Sequence, residues 1–131
     1  MADQVLTITP AVIGQLQSLK AELNFGPDAA THYTGVPDPR ARIAYDEAFS
    51  LLVETLVQEL PRHPSKKFVL AEFRATLESL PASDTEDRER AASYCEKIMD
   101  VLKIQSSDGL LNDWMYGPVL GPMLNKKANE H

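Results

Sequence analysis

Apolar residues recur along this chain every three or four positions, in several separate stretches. This spacing places them on one face of an α-helix, which makes about 3.6 residues per turn. Prolines and glycines divide the stretches, as they do where helices begin or end. No stretch alternates apolar and polar residues for long enough to predict a strand, although Gln4–Thr9 could form a short one. The pattern therefore predicts an all-α fold.

Five helices are expected from the apolar stripes and their flanking residues. Thr9, Asp38 and Ser65 are suited to cap the first three helices. The fourth opens with the capping box Ser83-Asp84-Thr85-Glu86, and the fifth is short. The five stripes are Val12, Leu16, Leu19 and Leu23; Tyr45, Phe49, Leu52, Leu56 and Leu60; Val69, Phe73, Leu77 and Leu80; Ala91, Cys95, Ile98 and Leu102; and Leu110, Leu111, Trp114 and Met115.

The helices predict a compact bundle of four main helices plus a short C-terminal fifth helix. Most connections are short, which favours antiparallel neighbours. We expect one helical domain over residues 1–124, and a disordered polar tail over residues 125–131. The connection Asn24–Pro39 is unusually long for a compact domain.

Composition narrows the class of protein. The 131 residues are 44% apolar and 24% charged, as in ordinary globular domains. A net charge of −6 repels phosphate backbones and disfavours nucleic-acid binding, although such a charge also simply keeps small domains soluble. A single cysteine cannot form an internal disulfide. Without a signal peptide or an apolar span we expect no membrane association and a cytoplasmic location.

Catalytic and metal chemistry find little support in the residues. His32, His63 and His131 lack the spacing of a helical metal pair. Cys95 lies mid-helix on an apolar stripe, where a cysteine is usually a core residue. The glycines are dispersed, with no phosphate-binding loop. We therefore expect neither a metal, a cofactor nor enzymatic activity.

The second helix carries a candidate partner-binding ridge. Glu47 and Glu54 lie within about 20° of each other on the helical projection, opposite the apolar stripe. Asp46 adds a further acid, and Leu51 is an apolar residue on the outward side. The ridge is either a solvated or covered helix face, or an acidic binding surface with an apolar anchor.

Two further segments carry aromatic side chains in unusual places. Phe25, His32 and Tyr33 lie in the long connection, and long loops on helical scaffolds are often functional. We include His32 and Tyr33 among the candidate binding residues, although Phe25 and Tyr33 could instead cover the core. The fifth helix is too short to be stable alone, so Trp114 either docks it or serves as a stacking platform.

One segment resembles a known family. The motif Ser-Asp-Gly-Leu-Leu-Asn-x-Trp-x-Tyr-Gly, from Ser107 to Gly117, is similar to that of a bacterial family of small helical proteins catalogued as a domain of unknown function. The resemblance extends from about Ile8 through Gly117. It implies a small, free-standing helical protein and brings no activity or site residues.

These features together favour a binding protein over an enzyme. The leading hypothesis is an immunity or antitoxin-like inhibitor that occludes a bacterial toxin, since such inhibitors need only a shaped and charged surface. The protein partner would then be a basic toxin domain. The alternative is a small-ligand-binding or enzymatic helical domain that uses residues 24–39 as a lid. An adaptor of a larger complex is a third possibility.

Overall fold

The computed structural model describes residues 3–81 and 85–116. These residues form five α-helices and no β-strand, which confirms the predicted all-α class. The capping residue Ser83, the boundary at residue 124 and the tail 125–131 lie outside the described residues. The helices are α1 (Pro10–Glu22), α2 (Pro39–Glu59), α3 (Lys66–Glu78), α4 (Thr85–Leu102) and α5 (Leu110–Tyr116), with a short 3-10 helix at Ala29–Thr31.

Side-chain caps fix where the first three main helices begin. Thr9, Asp38 and Ser65 each accept a hydrogen bond from a backbone N–H two or three residues later, at 3.2, 3.0 and 3.2 Å. Each bond satisfies a donor that the first helical turn leaves without an intrahelical partner. The sequence prediction of all three caps is confirmed.

The helices pack in a closed ring whose order differs from the chain order. Around the ring, α1 is followed by α2, α3, α5 and α4, and α4 packs again on α1. The short helix α5 thus lies between α3 and α4 instead of extending past the end of the bundle. Its apolar residues Leu110 and Leu111 are 9% and 8% exposed, so α5 is docked as its length requires.

An aromatic cluster occupies the middle of the core. Phe25, from the long connection, is fully buried, and its ring centroid lies 4.7 Å from Tyr45, 5.5 Å from Phe49 and 5.3 Å from Tyr94. Tilted rings at such distances pack favourably beyond the area that they bury. The long connection therefore supplies part of the core, which was one of the two roles considered for Phe25.

The segment before α1 is held against the start of α3. Leu6 N–H donates to the Pro64 carbonyl at 2.7 Å, and Lys66 N–H donates to the Gln4 carbonyl at 2.9 Å. These bonds make an isolated bridge, so the segment that resembled a short strand does not form one. Asp3 accepts bonds from the Ser65 hydroxyl and, at 2.9 Å, from Lys67 N–H.

Candidate functional site

One face of α2 is open to solvent and mixes apolar with acidic side chains. Ile43 and Leu51 are 56% and 63% exposed, although both are large apolar residues. Exposed Glu47 lies midway between them, and exposed Glu54 follows Leu51 by three residues. Because residues three or four apart are neighbours on a helix, the four side chains form one patch, which we call the α2 outer face.

A shallow groove between α2 and α3 adjoins this face. Leu51 lies at its edge, and Leu52, only 2% exposed, forms its floor. The groove encloses about 220 Å³, which is less than the roughly 300–1,000 Å³ of small-molecule sites. Its other lining residues include Ala48, Glu72, Ala75 and Thr76. We call it the α2–α3 groove.

Ion pairs modify the charge of the predicted acidic ridge. Lys20 of α1 pairs with Glu54, and Arg62 pairs with Glu59 at 3.2 Å. Both pairs include well-exposed side chains, so each contributes at most about 1 kcal/mol to stability. The stretch from Ile43 to Pro61 contains no lysine or arginine, but Lys20 and Arg62 bring positive charge to it from outside. Glu47 remains the acid nearest to both exposed apolar residues.

Asp46 lies away from the α2 outer face. It is partly buried, and the backbone N–H of Phe25 donates a hydrogen bond to its carboxylate. Removal of this carboxylate from water raises its pKa above the ordinary value, against the opposing effects of that bond and of Arg42. Asp46 thus fastens the long connection to α2, and it is not available to the same surface as Glu47.

The two candidate residues of the long connection have different environments. His32 is exposed and adopts a left-handed backbone conformation with φ of 58°. Tyr33 is 8% exposed, and its hydroxyl donates to the buried carboxylate of Asp87 at 2.6 Å. Burial and this carboxylate raise the pKa of Tyr33. Tyr33 therefore covers the core, as the alternative interpretation allowed, and lies apart from the α2 outer face.

Arg90 of α4 binds the long connection in three ways. Its guanidinium donates to the carbonyl of Asn24 at 2.6 Å, pairs with Asp28 at 3.0 Å, and stacks 4.4 Å from the ring centroid of Tyr33. A planar guanidinium supports such simultaneous stacking and hydrogen bonding. The connection is consequently docked at several points, which does not suit a hinged lid.

A second cleft lies between the docked connection and α4. It encloses about 380 Å³, within the range of small-molecule sites. Arg90 and Lys97 supply positive charge to it, and Tyr33 and Tyr94 supply aromatic surface. Three acids, Asp28, Glu86 and Glu89, also line the cleft, so its charge is mixed.

Tyr94 joins α4 to the end of α1. Its hydroxyl accepts from Asn24 N–H at 2.6 Å and lies 3.1 Å from the carbonyl of Glu22, the last residue of α1. It thereby caps a helix end whose last carbonyls lack intrahelical donors. No local pattern in the sequence predicts this contact or the Arg90 contacts, because they join residues 57 to 72 positions apart.

The remaining questions from the sequence concern Cys95, metal ligands and membrane-spanning helices. Cys95 is fully buried, and burial raises the pKa of its thiol, as expected for a core residue. Among residues 3–81 and 85–116, no group of three or more histidine, cysteine or acidic side chains is placed to hold a metal ion. Within the same ranges, no helix combines the length and apolarity needed to cross a membrane.

Comparison with known proteins identifies the family. The family model of a domain of unknown function, DUF4844, matches residues 7–119. The chain belongs to the DUF4844 family. This match agrees with the resemblance that extends from about Ile8 through Gly117.

A solved structure shares the fold of this DUF4844 protein. It is the crystal structure of a DUF3571 family protein from Acinetobacter baumannii AYE, with a TM-score of 0.72 and 27% sequence identity. The alignment covers 87% of this chain and 95% of that one. Among curated proteins no match was found. The comparisons thus support the family and the helical fold, and the proposal of a function rests on the surface of the molecule.

Proposed function

We propose that this DUF4844 protein is a non-catalytic binding domain whose α2 outer face binds a basic protein partner in the cytoplasm. The observation that carries the proposal is the joint exposure of Ile43 and Leu51 beside Glu47 and Glu54. Large apolar side chains surrounded by polar ones are typical of interaction surfaces. Because Glu47 and Glu54 are negatively charged, the surface favours a positively charged partner.

Leu51 is the anchor in this proposal. It is 63% exposed and borders the α2–α3 groove, so a partner can bury both its side chain and the groove beside it. Interface energy concentrates in a few central residues that become fully desolvated. Glu47 and Glu54 would then contribute mainly to the rate of association, as charges at an interface rim do.

The same charges disfavour a second copy of this chain as the partner. A two-fold contact through the α2 outer face would bring Glu47 and Glu54 of one copy against those of the other. Like charges placed across an interface oppose association. A basic partner instead gains attraction mainly from Glu47, because Lys20 already offsets part of the charge of Glu54.

An inhibitor of the immunity or antitoxin type is the specific form of binding that we propose. Such an inhibitor covers its target by shape and charge, and an acidic helical surface suits a basic toxin domain. Co-expression tests this form directly. A partner that stops growth when expressed alone should become harmless with the wild-type protein and remain toxic with the L51D variant.

Photo-crosslinking identifies the partner and tests the surface. A photoreactive amino acid in place of Leu51 should capture a basic protein in cells of the source organism. The control places it at Ser18, an exposed residue of α1. Capture of the same products from both positions would count against the proposal.

Purified partner then allows quantitative tests. The double variant E47K/E54K should bind about 10-fold or more weakly, with most of the loss in the association rate. The loss should shrink as salt rises, because exposed charges are screened over about 10 Å at 0.1 M. L51D should instead speed dissociation. Circular dichroism must show an unchanged fold for each variant, and unchanged binding would exclude this surface.

Small-ligand binding at the second cleft is the alternative function. Its size suits a small polar molecule, whose anionic group would pair with Lys97 and whose donors would face the acids of the cleft. A thermal-shift screen of small anions tests it, with K97A as the variant, since Lys97 is exposed and its loss should spare the fold. Stabilisation of the wild type and not of K97A would support the alternative.

A further inference from the structure

We infer that the partner presents a basic amphipathic α-helix, which lies in the α2–α3 groove and inserts apolar side chains beside Leu51. This inference rests on the proposed function, because it specifies how a basic partner occupies the same surface. It adds α3 to the binding site and assigns a secondary structure to the partner.

The groove has the shape of a helix-binding site. Its walls come from positions 48, 51, 52 and 55 of α2, from 72, 75 and 76 of α3, and from 79, which caps the C-terminal end of α3. Each set follows the spacing i, i+3, i+4 and i+7, which forms the ridge of a helix surface. The groove between two such ridges receives the side chains of a third helix. At 1.5 Å per residue the lined length is about 10 Å, or two turns.

Small residues keep the groove open. Ala48 and Ala75 leave space that longer side chains would fill, and Leu52 gives it an apolar floor. A volume of about 220 Å³ suits one or two apolar side chains rather than a whole small molecule. The floor and walls therefore match the apolar positions of an amphipathic helix.

The backbone of the groove excludes an extended partner. Both walls are helices, whose N–H and C=O groups are satisfied within each helix. A strand placed there would find no backbone partners for its own polar groups, which costs free energy when they are buried. A helix satisfies its own backbone and needs only side-chain contacts.

Acids on both sides determine the charge of the helix. Glu47 lies on the α2 side of the groove, next to Leu51, and Glu72 lines the α3 side. A helix in the groove would place its flanking positions near these carboxylates. Lysine or arginine at those positions gains attraction, and acidic residues are repelled.

The test uses a defined peptide and a matched pair of variants. The probe is a fluorescent peptide of about 18 residues, or five helical turns, made of leucine and lysine with leucine at helical spacing. Ala75→Leu fills the groove, whereas Ala71→Leu adds the same side chain at an exposed position of α3 outside the lining. Leucine favours helix, so both variants should fold.

The peptide should bind the wild-type protein and the A71L variant equally, and A75L at least about 10-fold more weakly. A peptide of the same composition with its helical spacing scrambled should also lose about 10-fold or more. Equal binding by A71L and A75L, equal binding of the scrambled peptide, or no binding of either peptide would overturn the inference. Self-association of the wild type that A75L abolishes would assign the groove to a second copy and overturn it too.

Failure of the inference can be separated from failure of the proposed function. If the crosslinked partner loses affinity for E47K/E54K and L51D but not for A75L, the outer face binds it and the groove does not. If the partner is insensitive to all three variants, the proposed surface itself is wrong.

Discussion

Arg88 and Trp114 bond to each other in both directions, and this pair joins α4 to α5. The guanidinium of Arg88 donates to the backbone carbonyl of Trp114, and the indole N–H of Trp114 donates to the carbonyl of Arg88 at 3.0 Å. The guanidinium also lies 4.6 Å from the centroid of the indole ring. The pair therefore combines two hydrogen bonds with a cation–π contact.

Replacement of Trp114 by alanine should lower the free energy of unfolding by about 2–3 kcal/mol. This is less than the roughly 3–5 kcal/mol of a fully buried aromatic residue, because the ring is only partly buried. Trp114→Phe removes the N–H donor and should cost about 1 kcal/mol. Urea denaturation measures both, with exposed Tyr116→Ala as the control. A loss below about 0.5 kcal/mol for Trp114→Ala would contradict a docked α5.

Two glycine substitutions should have opposite effects on stability. Gly35 has φ of 86°, and an added Cβ would lie 2.7 Å from the backbone nitrogen of Pro27. Gly35→Ala should therefore destabilise the protein by more than about 1 kcal/mol. Gly14 lies in α1 with nothing within 4 Å of an added Cβ, so Gly14→Ala should stabilise it by about 0.5–1 kcal/mol. Thermal melts of the pair test whether the long connection is a fixed part of the fold.

Asp46 and Asp3 should give the stability opposite dependences on pH. Burial raises the pKa of Asp46 in the folded protein. Its contribution to the stability of the fold is therefore complete below the ordinary aspartate pKa of about 3.9, and it is lost as pH rises through the folded value. Hydrogen bonds from Ser65 and from Lys67 N–H lower the pKa of Asp3. Its contribution is complete above that ordinary value and is lost as pH falls through the folded one.

Urea midpoints of the asparagine variants at several pH values between about 3 and 7 separate the two effects. Relative to the wild type, D46N should gain stability as pH rises, since it lacks the buried charge. D3N should be less stable than the wild type at pH 7, and the deficit should shrink in acid. If the stabilities of D46N and D3N relative to the wild type changed with pH in the same direction, the environments described for Asp46 and Asp3 would be wrong.

Cys95 should react with a thiol reagent only when the protein opens. It is fully buried in α4, and its raised pKa disfavours the reactive thiolate. Labelling of the native protein should be at least about 100-fold slower than in denaturant, because it requires an opening event. The control is S93C in a C95S background, since position 93 is exposed on the same helix. Fast native labelling of Cys95 would show an access path to the core.

Local sequence signals predicted the helices and several of their ends. Thr9, Asp38 and Ser65 act through residues two or three positions away, and the stripe from Tyr45 to Leu60 follows the helical period. Such relations lie within a few residues and are visible in a sequence. The exposure of Leu51 followed from the same period.

Contacts between distant segments were not predictable from those signals. Arg90 reaches Asn24 and Asp28 across more than 60 positions, and Lys20 reaches Glu54 from another helix. Nor does any spacing reveal that α5 lies between α3 and α4, or that Ala75 borders a groove with Ala48. These features depend on which helix faces pack together, and helices of similar period can pack in more than one order.

The position of α5 in the ring has a consequence for folding during synthesis. The ribosome releases α1 to α4 before α5, although α5 is the element that packs between α3 and α4. At about 5–20 residues per second, the apolar sides of α3 and α4 that face α5 stay uncovered for roughly a second or more. During that interval these two apolar sides are exposed to water, and they are covered only when the segment that contains Trp114 packs on them.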